Sequence, residues 1–180
     1  MTICTPDRFW SGATTGCGQV LVPWLHDNGS LTRRIQQRCN HFAVRPMRNG
    51  LARIAYDEAA LLCVAPQQLA YSREVFLYAD GQPVVFAHST CAAQHLRGAW
   101  AALGGLGNKP LGAMLFAHPL VERRPLRFKA LHPHHPLYRR ITIANVPGRL
   151  WARRSLFYLH GAPLLVTEVF LPEIVKLRQH

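Results

Sequence analysis

Two charged residues stand where a folded core would ordinarily place hydrocarbon. In PLLVTEVFLP (163–172), Glu168 lies inside a run of leucine and valine that reads as a buried strand. In SREVFLYADG (72–81), Arg73 heads a row with Val75, Leu77 and Ala79, because alternate strand residues share a face. Glu168 shares its face with Leu164, Val166 and Phe170, and Thr167 aside the opposite face is apolar as well. A buried carboxylate without compensation has its pKa pushed up, and a guanidinium cannot escape by losing its proton. Each therefore needs a partner. Two arrangements meet that need. In one, a structural salt bridge forms inside the core, with Arg73 and Glu168 as the natural pair. In the other, both residues line a cavity, where Arg73 meets a ligand carboxylate through its planar fork and Glu168 meets a ligand hydroxyl or proton.

Other patterns offer less. GGLGNKPLG (104–112) is glycine-rich like a phosphate loop but has no G-K-[ST]. It reads as a helix stop, a turn and exposed backbone N–H groups able to hold an anion. HPHHP brings His132, His134 and His135 together, but its prolines impose an irregular loop and no carboxylates follow at ligand spacing. No metal site is expected. Neither a G-x-S-x-G elbow nor H-E-x-x-H is present.

The elements that must carry Arg73 and Glu168 are legible in outline. Ser30 reads as the N-cap of a helix with Leu31, Ile35 and Cys39 on one face. Asn49–Gly50 predicts a hairpin turn, with Pro46 demoting its first strand toward an edge. DEAALLCVAP predicts a short helix ended by Pro66. Asp80–Gly81 predicts a strong hairpin, and a second follows around Gly161. Superimposing Gly81 on Gly161 aligns Arg73 with Arg153, Tyr78 with Tyr158, Pro83 with Pro163 and His88 with Glu168. Between the hairpins, residues 92–103 predict a helix stopped by Gly104–Gly105, a short helix starts near Pro110, and a strand runs from Leu120 to Leu131. The sum is an α+β fold: a single antiparallel β-sheet with helices covering one face.

A chain of 180 residues is most simply one domain, spanning 1–180, and is long enough to bury a good core. With 49% hydrophobic and 17% charged residues it is globular, and no apolar run reaches membrane-spanning length. MTICTPDRFW lacks the order of a signal peptide, so the expected location is the cytoplasm. Five scattered cysteines (Cys4, Cys17, Cys39, Cys63, Cys91), with no C-x-x-C, predict free thiols. Lys and Arg number 21 against 9 Asp and Glu, a net of +12 that attracts anions. Such a charge serves nucleic acid, a small polyanionic substrate, or simply a solubilising surface with no partner. Basic residues fall mostly in pairs such as Arg123–Arg124, Arg139–Arg140 and Arg153–Arg154, with no basic tail, which weakens the nucleic-acid reading.

SLTRRI, REVFLYADGQP, LGNKPLGAMLF and LWARRSLFYLHGAPLLVTEVFLP, in that order, resemble the chorismate lyase family over roughly residues 20–172. The resemblance implies an antiparallel sheet with an internal ligand cavity under helical flaps. It implies conversion of chorismate to 4-hydroxybenzoate and pyruvate, the entry to ubiquinone synthesis, with no cofactor. It implies that Arg73 and the backbone of Leu111 bind the ring carboxylate, that Glu168 contacts the ring hydroxyl, and that Leu31 lines the site. The catalytic expectation rests on Arg73 and Glu168. Expected partners are chorismate and 4-hydroxybenzoate, without nucleic acid or membrane insertion; the sequence leaves the oligomeric state open, with a monomer favoured. The alternative is a non-catalytic sensor of aromatic acids, since effector domains of some transcription regulators are similar in fold to chorismate lyases. Those normally follow a helix-turn-helix domain, which the few residues before Trp24 cannot hold.

Overall fold

The computed structural model describes residues 7–177. In chain order the elements are α1 (Val22–Leu25), α2 (Leu31–Gln36), β1 (Phe42–Arg53), α3 (Tyr56–Ala59), β2 (Leu69–Ala79) and β3 (Gln82–Ala92). After two short 3-10 helices come α4 (Leu111–Ala117), β4 (Glu122–Arg123), β5 (Arg127–Leu131), α5 (Pro136–Arg139), β6 (Leu150–Leu159) and β7 (Ala162–Phe170). All strand pairs are antiparallel. The sheet order is β1-β2-β3-β7-β6-β4, and β5 also pairs with β6.

Both predicted hairpins form. Asp80–Gly81 and His160–Gly161 have positive φ at both turn residues, the backbone a two-residue turn between twisted strands requires. The hairpins lie side by side through β3 and β7, so they form the middle of the sheet. Ser30 caps α2 as expected, its Oγ accepting from the Arg33 N–H at 3.3 Å. Pro110 precedes α4 in extended conformation and sets the helix start.

Four local readings are corrected. Asn49–Gly50 does not turn: β1 is one continuous edge strand, paired with β2 from Phe42↔Ala79 to Arg53↔Leu69, and the irregularity sits at Met47. A long partner strand outweighs the local turn signal. The predicted helix from residue 92 is replaced by the end of β3 and the 3-10 helices Ala93–Arg97 and Ala101–Gly105, which still bury Trp100 and Leu103. The strand over 120–131 is broken at Pro125 into β4 and β5, since proline cannot donate to a ladder. Cys63 is disulfide-bonded, against the expectation of free thiols, whereas Cys17, Cys39 and Cys91 are free; Cys4 lies outside the described residues. Spacing reveals only pairs that are local in sequence. Among the described residues no helix is long and apolar enough to cross a membrane.

The two longest helices, α2 and α4, lie over one face of the sheet and approach each other closely: a Cβ on Gly112 would sit 3.2 Å from Thr32 Oγ1. The other face is covered by α5 and the segment around Ile141, which pack Leu137 and Ile141 against Phe76, Phe86, Leu150 and Val169, and by α3, whose Glu58 meets His88. HPHHP thus serves packing: His135 Nδ1 accepts from the Leu137 N–H and starts α5, and Leu137 enters the core.

That second face also buries charge. A bulge between Leu77 and Tyr78 slips the β2–β3 register by one, so Arg73 opposes Ser89, and His88 opposes Glu74 on the other face. His88 lies 3.1 Å from a Glu58 carboxylate oxygen and 3.3 Å from one of Glu74, which Arg140 also engages at 2.6 Å. Burial alone would lower the His88 pKa; Glu58, with Glu74, overturns that and raises it to about 9. Burial likewise disfavours charged Glu58 and Glu74, yet His88 and Arg140 hold both below the usual carboxylate range. The raised histidine contributes stability in full below its unfolded pKa of about 6.5, and loses it as pH rises through about 9. The two carboxylates contribute above about 4.5 and lose it on acidification. The His88 part is of order 3 kcal/mol, or about 10 °C in Tm. We expect Tm to fall between about pH 6.5 and pH 9, and His88→Gln to be less stable at neutral pH with that alkaline step removed. Thermal unfolding across pH checks this; an unchanged alkaline step in His88→Gln would contradict it.

Candidate active site

Between the sheet and the helices α2 and α4 lies a pocket with about 610 Å³ of empty space, part of it open to solvent. Its floor crosses the sheet: Val44 on β1, Arg73, Val75 and Leu77 on β2, Ala87 and Ser89 on β3, Val166 and Glu168 on β7, and Arg153, Ser155 and Phe157 on β6, with Arg123 on β4 at the rim. Its roof is Gly29, Leu31, Pro110, Leu111, Leu115 and Phe116. All four residues named from the sequence, Leu31, Arg73, Leu111 and Glu168, therefore line one pocket.

Arg73 and Glu168 do not pair with each other. Register places them two strands and two residues apart, about 12 Å between Cα atoms at ordinary strand spacing. Arg73 is 2% exposed. One of its terminal nitrogens donates to the carbonyls of Gly107 at 3.0 Å and Lys109 at 2.9 Å. Its Nε has no hydrogen-bond partner, and no acidic side chain among the described residues neutralises it. Burial lowers its pKa from the ordinary arginine value. A guanidinium stays protonated through such a shift, so this is a buried cation with no counter-charge among the described residues. The carbonyls it grips belong to the turn that leads into Pro110 and α4, so Arg73 also positions the Leu111 N–H, which in the first helical turn has no acceptor within its own helix.

Glu168 has a different partner from the one the sequence suggested. Arg153, its cross-strand neighbour in the β6–β7 register, donates from Nε to Glu168 Oε2 at 2.5 Å. The Arg153 terminal nitrogen caps α1 and the chain after it, donating to the carbonyls of Trp24 at 3.0 Å, Leu25 at 3.3 Å and Asp27 at 2.6 Å. Arg153 is 1% exposed. Glu168 Oε1 has no partner among the described residues, and the side chain keeps 18% of its surface, facing the pocket. The pair is thus half structural: one oxygen is fixed and the other remains free to accept.

Arg153 carries no motif, but the hairpin held its address. A two-residue turn at His160–Gly161 with no bulge forces Arg153 opposite Glu168. Its neighbour Arg154 points to the other face, where Asp7 binds it through two oxygens at 2.7 Å each and Asp57 at 2.7 Å. These two members of the +12 charge excess are buried and hold the fold, so part of that excess is no surface field.

A sequence profile described as chorismate lyase matches residues 13–179. The chain belongs to the chorismate lyase family. It is 51% identical over 171 residues to a probable chorismate pyruvate-lyase of Nitrosospira multiformis, covering 93% of this chain and 95% of that one. It is 50% identical over 174 residues to the protein of the same name from Nitrosomonas europaea, covering 96% and 98%. Among solved structures it resembles the effector domain of PhnF from Mycobacterium smegmatis, with a TM-score of 0.56 at 14% identity over 81% of this chain and 90% of that one. A PhnF C-terminal domain matches with a TM-score of 0.57 at 14% identity, over 77% and 88%. At that identity the likeness is one of fold: a family of lyases shares its antiparallel sheet with effector domains.

Proposed function

We propose that the protein eliminates pyruvate from chorismate to give 4-hydroxybenzoate, the step that opens ubiquinone synthesis, in the cytoplasm and as a monomer. The observation that carries this reading is Arg73: a buried guanidinium without a counter-charge, facing Glu168 across an otherwise largely apolar pocket. Arg73 and the Leu111 N–H receive the ring carboxylate, Leu31 packs on the ring, and Glu168 Oε1 accepts from the ring hydroxyl.

The chemistry asks little more. The ether C–O bond breaks with its electron pair going to the enolpyruvate oxygen. The neighbouring hydroxyl-bearing carbon gives up its hydrogen as a proton, and the C–H pair closes the aromatic ring. The departing enolpyruvate takes a proton on its methylene carbon and becomes pyruvate. No electrons are gained or lost overall, and aromatisation drives the step, so neither metal nor organic cofactor is required. The pocket contributes by holding the ring in a reactive conformation away from bulk water. Glu168, its other oxygen fixed by Arg153, orients the hydroxyl-bearing carbon and is the nearest candidate to assist its proton loss. A product gripped at both ends leaves slowly, so release limits turnover.

The test is incubation of the purified protein with chorismate and a chelator. Pyruvate and 4-hydroxybenzoate are expected in equal amounts. Folded protein that binds 4-hydroxybenzoate but makes neither product would favour the sensor reading, which the likeness in fold to effector domains keeps as the alternative.

A further inference from the structure

Chorismate carries a second carboxylate, on its enolpyruvyl side chain, and a group has to receive it. We propose that Arg123 is that group; this rests on the lyase reading above. Arg123 stands at the rim of the pocket on β4, with its guanidinium against the rings of Phe116 on α4 (5.6 Å) and Phe157 on β6 (5.3 Å). Nε donates to Ser155 Oγ at 3.3 Å and one terminal nitrogen donates to the Asn28 carbonyl at 2.7 Å. The other terminal nitrogen has no partner among the described residues, and no carboxylate there lies within ion-pair distance of the guanidinium. Two aromatic faces and two hydrogen bonds thus fix a cation that has no anion.

Charge and position both select the side-chain carboxylate. Four charged side chains line the pocket: Arg73, Arg123, Arg153 and Glu168. Three cations and one anion leave +2, and the Arg153–Glu168 pair cancels internally, so the surplus sits on Arg73 and Arg123. Chorismate brings two negative charges. Its ether is carried by the ring carbon next to the one bearing the hydroxyl, so the enolpyruvyl group must lie at the Glu168 end. Arg123 is at that end. Burial lowers its pKa, and among its neighbours it feels Glu168 first, then Arg153 and Asp27. Arg73 lies at the other end, on β2. Arg123 also favours the reaction itself: as the ether bond breaks, negative charge grows on the departing enolpyruvate, beside a fixed cation.

The same contacts would let Arg123 act merely as a pin between β4 and the loop before α2, so the test must separate the roles. 4-Hydroxybenzoate lacks the second carboxylate. For Arg123→Gln we expect kcat/KM for chorismate to fall about 100-fold with KM raised, while 4-hydroxybenzoate binds within about 2-fold of wild type. Arg123→Lys keeps the charge and should recover part of the loss. If Arg123→Gln loses affinity for 4-hydroxybenzoate and chorismate alike, the residue is a pin and the proposal fails. If wild type turns over chorismate and Arg123→Gln does so equally well, the proposal fails alone. If wild type does not turn over chorismate, the lyase reading fails and takes this proposal with it.

Discussion

Arg73→Ala should lower kcat/KM for chorismate by about 10² to 10³, and weaken 4-hydroxybenzoate binding by a similar factor. The size follows from what is removed. A charge-assisted hydrogen bond to a carboxylate in a water-poor site is worth about 2–4 kcal/mol, because the ligand's charge is otherwise left buried and unpaired. Arg73 is also the link that holds the Gly107 and Lys109 carbonyls, and through them the start of α4. Some of the loss should therefore come from a displaced Leu111 N–H. Arg73→Lys separates the two effects: it restores charge without the planar fork, and should recover binding only in part. Stability tells the same story from the other side. Because the cation has no acidic partner among the described residues, the cost of burying it offsets the two hydrogen bonds it makes, and its removal should change Tm little. Circular dichroism melts with 4-hydroxybenzoate titrations check both. A large fall in Tm with unchanged ligand affinity would show that Arg73 is structural.

Arg153→Ala should behave in the opposite way, failing first in stability. It deletes a buried guanidinium that serves Glu168 and three backbone carbonyls at the end of α1. Breaking a buried pair on one side costs about 3–5 kcal/mol, since the remaining charge is left uncompensated. For a chain of this size that is about 10 °C in Tm. Glu168 would also lose the hydrogen bond that fixes its Oε2, and with it the orientation of the oxygen that meets the ring hydroxyl. Glu168→Gln makes the contrast: Gln can still accept from Arg153, whose guanidinium also rests on three backbone carbonyls, so it should lose less Tm than Arg153→Ala, yet lose about 10²-fold or more in turnover. Chemical denaturation and chorismate turnover of the two variants check this. Equal stability of Arg153→Ala and wild type would mean that the pair contributes nothing to the fold.

The positions of Arg73 and Glu168 were legible because strand alternation is a strong rule and both residues break the apolar rows it generates. Ser30, Pro110 and the two x-Gly turns were legible because each is a local solution that needs few neighbours. What was hidden depended on pairing partners. Asn49–Gly50 looks like a turn until β2 supplies a strand long enough to keep it extended. His88 aligns with Glu168 by distance from the turn, yet one bulge beside Tyr78 turns it to the opposite face and into a cluster with Glu58, Glu74 and Arg140. No local signal marks that bulge. Arg153 was recoverable from the turn register, but only once its hairpin was known to have no bulge. Arg123 carries no sequence signal: β4 has two residues, and only the folded sheet brings it to the rim of the pocket.

The direction in which an aromatic acid lies between these charges is the most direct question to ask of this pocket. A crystal structure of the protein with 4-hydroxybenzoate should show the carboxylate against the Arg73 guanidinium and the Leu111 N–H, with the hydroxyl on Glu168 Oε1. A ligand lying the other way round, its carboxylate on Arg123 or Arg153, or seated outside the pocket, would contradict it.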